Sequence, residues 1–266
     1  MPKFATVFSL EADFNKLGLA PGDSVFVHAS MRAIGPIVGG ARAVIQALLS
    51  SVGPEGLVAM PGFSSDAYMP TGIDIDPSDG KTIAQIEDAV LGFDAATSPA
   101  DAMGIIAETF RTWPGTRRSP HPTTSVCLNG AEADSYATEH SLAWATGAET
   151  PFGKLYARPS SKILLIGVGW NRCTAFHTAE TFAPTRREKT RRFKSGGPNG
   201  TWMETPDVAD DVGRLFPAIG EDFVKAGRVT SDKIGQAASL LCDFRELVDF
   251  ASDWIDAANI KSGDRA

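Results

Sequence analysis

Apolar positions recur at helical spacing over 8–17, which predicts a short amphipathic helix, and the turn at 18–23 leads into an apolar strand at 24–28. A glycine-rich loop follows. Ala43, Val44, Ala47 and Leu48 predict a helix over 41–51, and the Gly53-Pro54-Glu55-Gly56 turn opens a second strand at 57–60. Strand, loop, helix and strand in this order predict a parallel βαβ unit. Residues 61–99 lose periodicity apart from 82–91 and read as a long surface excursion, a kind of segment that often carries function. Beyond it, Met103, Ile106, Ala107 and Phe110 share one face of a helix at 103–113. A strand at 124–128, a helix at 131–138, a strong buried strand at 161–168 and a helix from Thr174 onward come next. A hairpin pairs 190–194 with 201–204 around Ser195-Gly196-Gly197-Pro198-Asn199-Gly200, and helices at 216–226 and 234–258 finish the chain. No linker or repeat interrupts the pattern. The expectation is an α/β fold, a layered single domain over 1–266 with a central mixed sheet flanked by helices.

Composition narrows the class. The 266 residues are 43% hydrophobic and 21% charged, which is ordinary globular usage. No apolar run approaches the roughly 20 residues of a membrane span, and the first ten residues lack the order of a signal peptide, so a cytoplasmic protein without membrane partners is expected. Cys127, Cys173 and Cys242 are odd in number and far apart, which fits a reducing compartment. The net charge of -7 speaks against a nucleic-acid partner and is compatible with a cationic ligand. Acidic side chains dominate from Asp66 to Asp101, through Asp74, Asp76, Asp79, Glu87, Asp88 and Asp94, with Lys81 the one basic residue among them. Basic ones dominate from Arg186 to Lys194. A solvated surface accounts for most of both.

Histidine is scarce, four in all, and one of them stands in the most informative stretch: Gly167-Val168-Gly169-Trp170-Asn171-Arg172-Cys173-Thr174-Ala175-Phe176-His177-Thr178-Ala179-Glu180. On a helix, His177 and Glu180 lie on one face, where a carboxylate can orient an imidazole or share its charge. A structural pair, a metal site and a general base all satisfy that spacing. His28, His121, His177 and Glu180 would be the ligands of a metal hydrolase, but the His-Glu-x-x-His helix is absent and no metal is expected. Neither Gly-x-x-x-x-Gly-Lys-Ser/Thr nor Gly-x-Gly-x-x-Gly occurs.

Several separated segments together resemble the aminoglycoside 3-N-acetyltransferase (antibiotic N-acetyltransferase) family. They are Val27-His28-Ala29-Ser30-Met31-Arg32, Gly39-Gly40 and the helix after it, and Val52-Gly53-Pro54-Glu55-Gly56-Leu57-Val58-Ala59-Met60-Pro61. Met103-Gly104-Ile105-Ile106-Ala107-Glu108-Thr109-Phe110, Arg118-Ser119-Pro120-His121-Pro122, Thr150-Pro151-Phe152-Gly153-Lys154-Leu155-Tyr156 and the stretch from Leu164 to Glu180 complete the set. The chain departs from the family at Trp170, where histidine is common, and at Ala143, where aspartate is common.

The resemblance implies acetyl-CoA as cosubstrate, a cationic aminoglycoside as acceptor, and a fold distinct from the commoner acetyltransferase superfamily. The Gln/Arg-x-x-Gly-x-Gly/Ala turn of that superfamily is missing here. It implies His177 as the general base, with Glu180, or Glu204 folded in from elsewhere, stabilising the imidazolium; Glu180 is equally suited to hold a substrate ammonium. For the coenzyme it points to Ser30, Met31 and Arg32, and to a second wall carrying Gly104, Ile105 and Thr109, with Arg117 and Arg118 as further phosphate partners. For the acceptor the candidates are Asp66, Tyr68, Glu180, Glu204 and Asp207. Cys127 or Cys173 carrying an acetyl group, another amine as acceptor, and a non-catalytic binding protein are the alternatives.

Overall fold

Thr6 opens the first helix: its hydroxyl accepts the Ser9 amide and the Ser9 hydroxyl accepts the Thr6 amide, a reciprocal cap on α1 (Val7–Leu17). The computed structural model describes residues 4–70, 76, 78–209 and 213–262; Asp74 of the acidic stretch lies outside them. β1 (Ser24–Ala29) runs through α2 (Met31–Ile34) to α3 (Gly40–Val52) and β2 (Leu57–Pro61), and β1 and β2 pair in parallel, as the βαβ reading expects. The excursion carries α4 (Gly80–Ala89), then a 3-10 turn Asp101–Met103 and α5 (Ile105–Arg111). β3 (Arg117–Arg118), β4 (Val126–Gly130), α6 (Ala133–Thr138), α7 (Pro151–Ala157) and β5 (Ser161–Ile166) follow. Next come α8 (Ala175–Phe182), the hairpin of β6 (Glu188–Ser195) and β7 (Thr201–Val208), and α9 (Phe216–Lys225). β8 (Thr230–Ile234), β9 (Ala237–Asp243) and α10 (Phe244–Ser262) end the described chain. Among the described residues no helix is long and apolar enough to cross a membrane.

The sheet is mixed, seven strands in the order β3-β4-β2-β1-β5-β9-β8. β1 lies between β2 and β5 and is parallel to both, while β4, β3, β9 and β8 are added antiparallel. Central strands covered on both faces read as unbroken apolar runs, which is why β1, β2 and β5 stood out in the sequence. Alternate side chains feed two cores. Val25, Val27, Val58, Met60, Leu164 and Ile166 pack under α1, α3 and α5. Phe26, Leu57, Ala59, Ile163 and Leu165 pack under α6 to α10. The result is three layers, helices on either side of one sheet. Fully buried phenylalanines, including Phe14, Phe26, Phe110 and Phe176, anchor these interfaces, each worth roughly 1.5–3 kcal/mol of burial.

Two expectations need correction. The helix predicted at 234–258 is in fact the end of β8, the whole of β9 and most of α10. A tight turn at Gly235, which has φ +59°, reverses the chain there, and α10 starts only where the Asp243 carboxylate accepts the Glu246 amide at 2.9 Å. The helix predicted at 103–113 is broken at Gly104, whose φ of 93° is left-handed and costs glycine alone no strain.

The β6–β7 hairpin stands apart from the main sheet and is tied to the excursion. Phe193 joins Ala67 and Phe93 in a small core, and the Lys194 amide donates to Ala67 O at 2.8 Å. The Lys194 ammonium, 4% exposed as a residue, donates to Val90 O at 2.9 Å and Asp88 O at 3.2 Å, closing the C-terminal end of α4.

Candidate active site

The carboxyl ends of β1, β2 and β5 open on one side of the molecule, the position where open α/β sheets collect ligands. α8 brings His177 and Glu180 over those ends. His177 Nδ1 and Glu180 Oε2 are 2.7 Å apart. The Glu180 side chain is 14% exposed and that of His177 is 28% exposed, so the carboxylate sits behind the ring and the ring keeps a free side. An ionised carboxylate only accepts, so Nδ1 holds a proton and, in the neutral ring, Nε2 holds the lone pair. Phe216 packs edge-on against the ring, centroids 4.9 Å apart, and fixes its plane.

Two cavities meet at that ring. One, of about 540 Å³, runs along the strand ends between the Val27-to-Arg32 stretch and α5; Met60, Phe63, Ile106 and Val168 give it apolar walls. Arg32 and Arg172, both exposed, supply its positive charge. The other, of about 310 Å³, lies toward the hairpin and is lined by Ser64, Thr123, Thr124, Thr146 and Asp207 among others. His177, Phe63, Ala102 and Met103 border both. A wider hollow of about 900 Å³ between α4 and the hairpin continues from the second through Ser65 and Tyr68.

The residues expected from sequence distribute unevenly over these cavities. Ser30, Met31, Arg32, Gly104 and Ile105 all border the first. Thr109 does not; its hydroxyl donates to Ile105 O at 2.7 Å within its own helix. Asp66 and Tyr68 line the wide hollow, and Tyr68 the second cavity as well. Asp207 reaches the second cavity but is bound to Arg191, which shields its charge. Glu204 is 64% exposed, 3.6 Å from Arg192 across the hairpin, and borders none of the three cavities. Glu180 is held by His177 and also borders none of the three. Arg118 is folded inward, donating to Gly62 O and Ser98 O and stacking on Phe93, while Arg117 pairs with Asp134. Neither arginine borders the first cavity.

Phe63 and Phe216 shape the site and were absent from the sequence reading. Phe63 had a signal, standing two residues past a strand end; Phe216 had none, since only tertiary packing brings α9 to the ring. Trp170, a departure from the family pattern, is 8% exposed and packs on Phe176 and Phe223 within the core.

Burial pushes the Cys127 and Cys173 thiols up to about 12, which removes the thiolate a covalent relay needs. His28 is pushed down to about 3 by burial, helped by His177 and Arg172 nearby, and its Nε2 accepts the Thr174 amide at 3.2 Å. His121 Nδ1 accepts the Thr124 amide at 3.0 Å. Among the described residues no three His, Cys, Asp or Glu side chains converge as a metal-ligand set.

Comparison with known proteins gives this geometry a family. Residues 26–256 match the family model described as aminoglycoside 3-N-acetyltransferase. The SPbeta prophage-derived aminoglycoside N(3')-acetyltransferase-like protein YokD of Bacillus subtilis is 33% identical over 262 residues, 95% of this chain and 94% of the relative. Aminoglycoside N(3)-acetyltransferase III of Pseudomonas aeruginosa is 30% identical over 255 residues, 92% and 91% of the two chains. Among solved structures, YokD superposes with a TM-score of 0.88 at 32% identity, over 97% of this chain and 95% of that one. AAC-IIIb in a binary complex with CoASH superposes with 0.84 at 30% identity, over 96% and 97%. AAC-VIa bound to sisomicin superposes with 0.83 at 31% identity, over 95% and 98%. The chain belongs to the aminoglycoside 3-N-acetyltransferase family.

Proposed function

We propose that this enzyme transfers the acetyl group of acetyl-CoA to the 3-amino group of the deoxystreptamine ring of an aminoglycoside, directly and within a ternary complex, and so confers resistance in the cytoplasm. The observation that carries the reading is the position of His177, on the border shared by two adjoining cavities. The apolar-walled cavity suits a pantetheine arm, and Arg32 and Arg172 suit its phosphates. The second cavity, continuous with the wide hollow that holds Asp66, offers a polyamine a carboxylate to pair with. Relatives solved with CoASH and with sisomicin support the pairing of the two ligands.

The coenzyme contributes an activated acetyl group on a good leaving thiolate. The chain contributes the base. An ammonium must lose its proton before it can attack, and His177 Nε2, with Nδ1 tied to Glu180, is oriented to take that proton. The positive ring that results is stabilised by the carboxylate behind it. The test is acetyl-CoA incubated with a panel of aminoglycosides and small amines, reading free thiol and locating the acetyl group by mass spectrometry. Thiol release with an aminoglycoside modified at its 3-amino group is expected; silence across the panel would sink the reading.

A further inference from the structure

His28, one residue before the end of β1, has 8% of its surface exposed and lines the first cavity. Its Nε2 accepts the backbone N–H of Thr174 at 3.2 Å. A nitrogen that accepts must hold a lone pair, so the imidazole is neutral and its proton is on Nδ1. Burial agrees, holding the group neutral down to about pH 3. Among the described residues nothing accepts a hydrogen bond from Nδ1. Nor is that nitrogen sealed among the buried atoms that lack a partner, so it opens on the cavity that His28 lines. A fixed N–H donor facing the cleft is poised to exchange a water for an acceptor oxygen on a bound ligand.

We infer that the Nδ1–H of His28 is a catalytic hydrogen-bond donor to the carbonyl oxygen of the bound thioester. The inference rests on the acetyl-transfer reading given above. In the step, the amine lone pair forms the carbon–nitrogen bond as the carbon–sulfur bond breaks; the first ammonium proton, held on His177, goes to the departing thiolate, and the second leaves the nitrogen to water as the amide forms. Negative charge gathers on the carbonyl oxygen in between. His28 keeps its proton and lends only the hydrogen bond, because losing it would leave an imidazolate in a buried site. A thiolate needs a proton that this ring does not give up, so the oxygen is the partner that fits. Thr174 presents a hydroxyl at the same end of the cavity, but an O–H rotates, whereas the ring is held at Nε2 before substrate arrives.

Two substitutions separate the donor from the anchor. In His28→Gln the amide oxygen overlays Nε2 and still accepts the Thr174 amide, while the cleft donor is gone. In His28→Asn the amide nitrogen takes the place of Nδ1, while the anchor is gone. For H28Q a fall in kcat on the order of 10²-fold is expected, the effect of deleting one oxyanion donor, with an unchanged Kd for free coenzyme A, which has no acetyl carbonyl. H28N keeps within about tenfold of wild-type kcat, as rescue by a replacement donor requires. The readout independent of turnover is the infrared carbonyl stretch of ¹³C-labelled acetyl-CoA bound without acceptor: lowered in the wild type, restored toward its solution frequency in H28Q. Wild-type kcat in H28Q, or a loss in H28N as deep as in H28Q, would overturn the inference. If either variant fails to fold, the wild-type spectrum decides alone, since an unshifted carbonyl overturns it too. Failure of the wild type to acetylate any amine would instead overturn the acetyl-transfer reading on which this rests.

Discussion

At 2.7 Å, the contact between His177 Nδ1 and Glu180 Oε2 fixes both the tautomer of the ring and the sign of the charge behind it. These two effects separate by mutation. Glu180→Gln still offers an oxygen to Nδ1 but removes the negative charge, so the ring stays oriented and is a poorer base. About a tenfold loss of kcat is expected, with the KM of both substrates unchanged, while His177→Ala loses on the order of 10²-fold or more. Equal losses in Glu180→Gln and His177→Ala, by steady-state thiol release, would mean that the carboxylate does more than tune the base. The dyad was legible in the sequence because its members are one helical turn apart, where spacing alone dictates contact. The acidic candidates from the hairpin were not legible in the same way. Asp207 meets Arg191, and Glu204 approaches Arg192, across a strand pair whose register no local pattern fixes.

The elements of the chain show the same division between local and tertiary determinants. The hairpin that walls the acceptor side is joined to α4 by the Lys194 ammonium, which donates to Val90 O at 2.9 Å. Lys194→Met keeps the packing length and leaves those carbonyls without their cation. A destabilisation of roughly 1–3 kcal/mol is expected in chemical denaturation, together with a higher KM for the acceptor and an unchanged Kd for coenzyme A. An unchanged acceptor KM would separate the hairpin from acceptor binding. Elsewhere, β1, β2 and β5 were readable because a strand buried on both faces is apolar throughout. β8 and β9 were misread for a physical reason: Ile234, Ala237, Ala238 and Leu241 satisfy helical spacing, while the buried face of β9, Ala237, Ser239 and Leu241, has a serine where alternation would show an apolar residue. The signals that decide between them were present, a glycine at the turn and Asp243 three residues before Glu246, but short. The amphipathic α4, with no buried residue, showed in the sequence only as the periodicity at 82–91, and its tie to a hairpin a hundred residues away lies beyond any local pattern.

Over the whole molecule, the two proposed substrates approach His177 from different walls. The coenzyme side is built from the strand ends and α5, and the acceptor side from the excursion and the hairpin; only His177, Phe63, Ala102 and Met103 border both cavities. Neither ligand has to leave for the other to enter. A relay through the enzyme would need a nucleophile at the junction, and the described thiols do not serve. Cys127 and Cys173 are fully buried, burial holds both at about 12, and neither borders either cavity. Sequential kinetics are therefore expected of the proposed direct transfer, in contrast to the ping-pong pattern of a covalent route. Double-reciprocal plots at several fixed acceptor concentrations are expected to intersect, and enzyme incubated with acetyl-CoA alone is expected to keep its intact mass. Cys173→Ala is expected to retain kcat within about twofold, since at pH 7 a thiol near 12 is almost wholly protonated. Parallel lines together with an enzyme 42 Da heavier, ~42 Da being the mass one acetyl group adds when it replaces a thiol proton, would refute direct transfer and send the search back to a nucleophile at the junction.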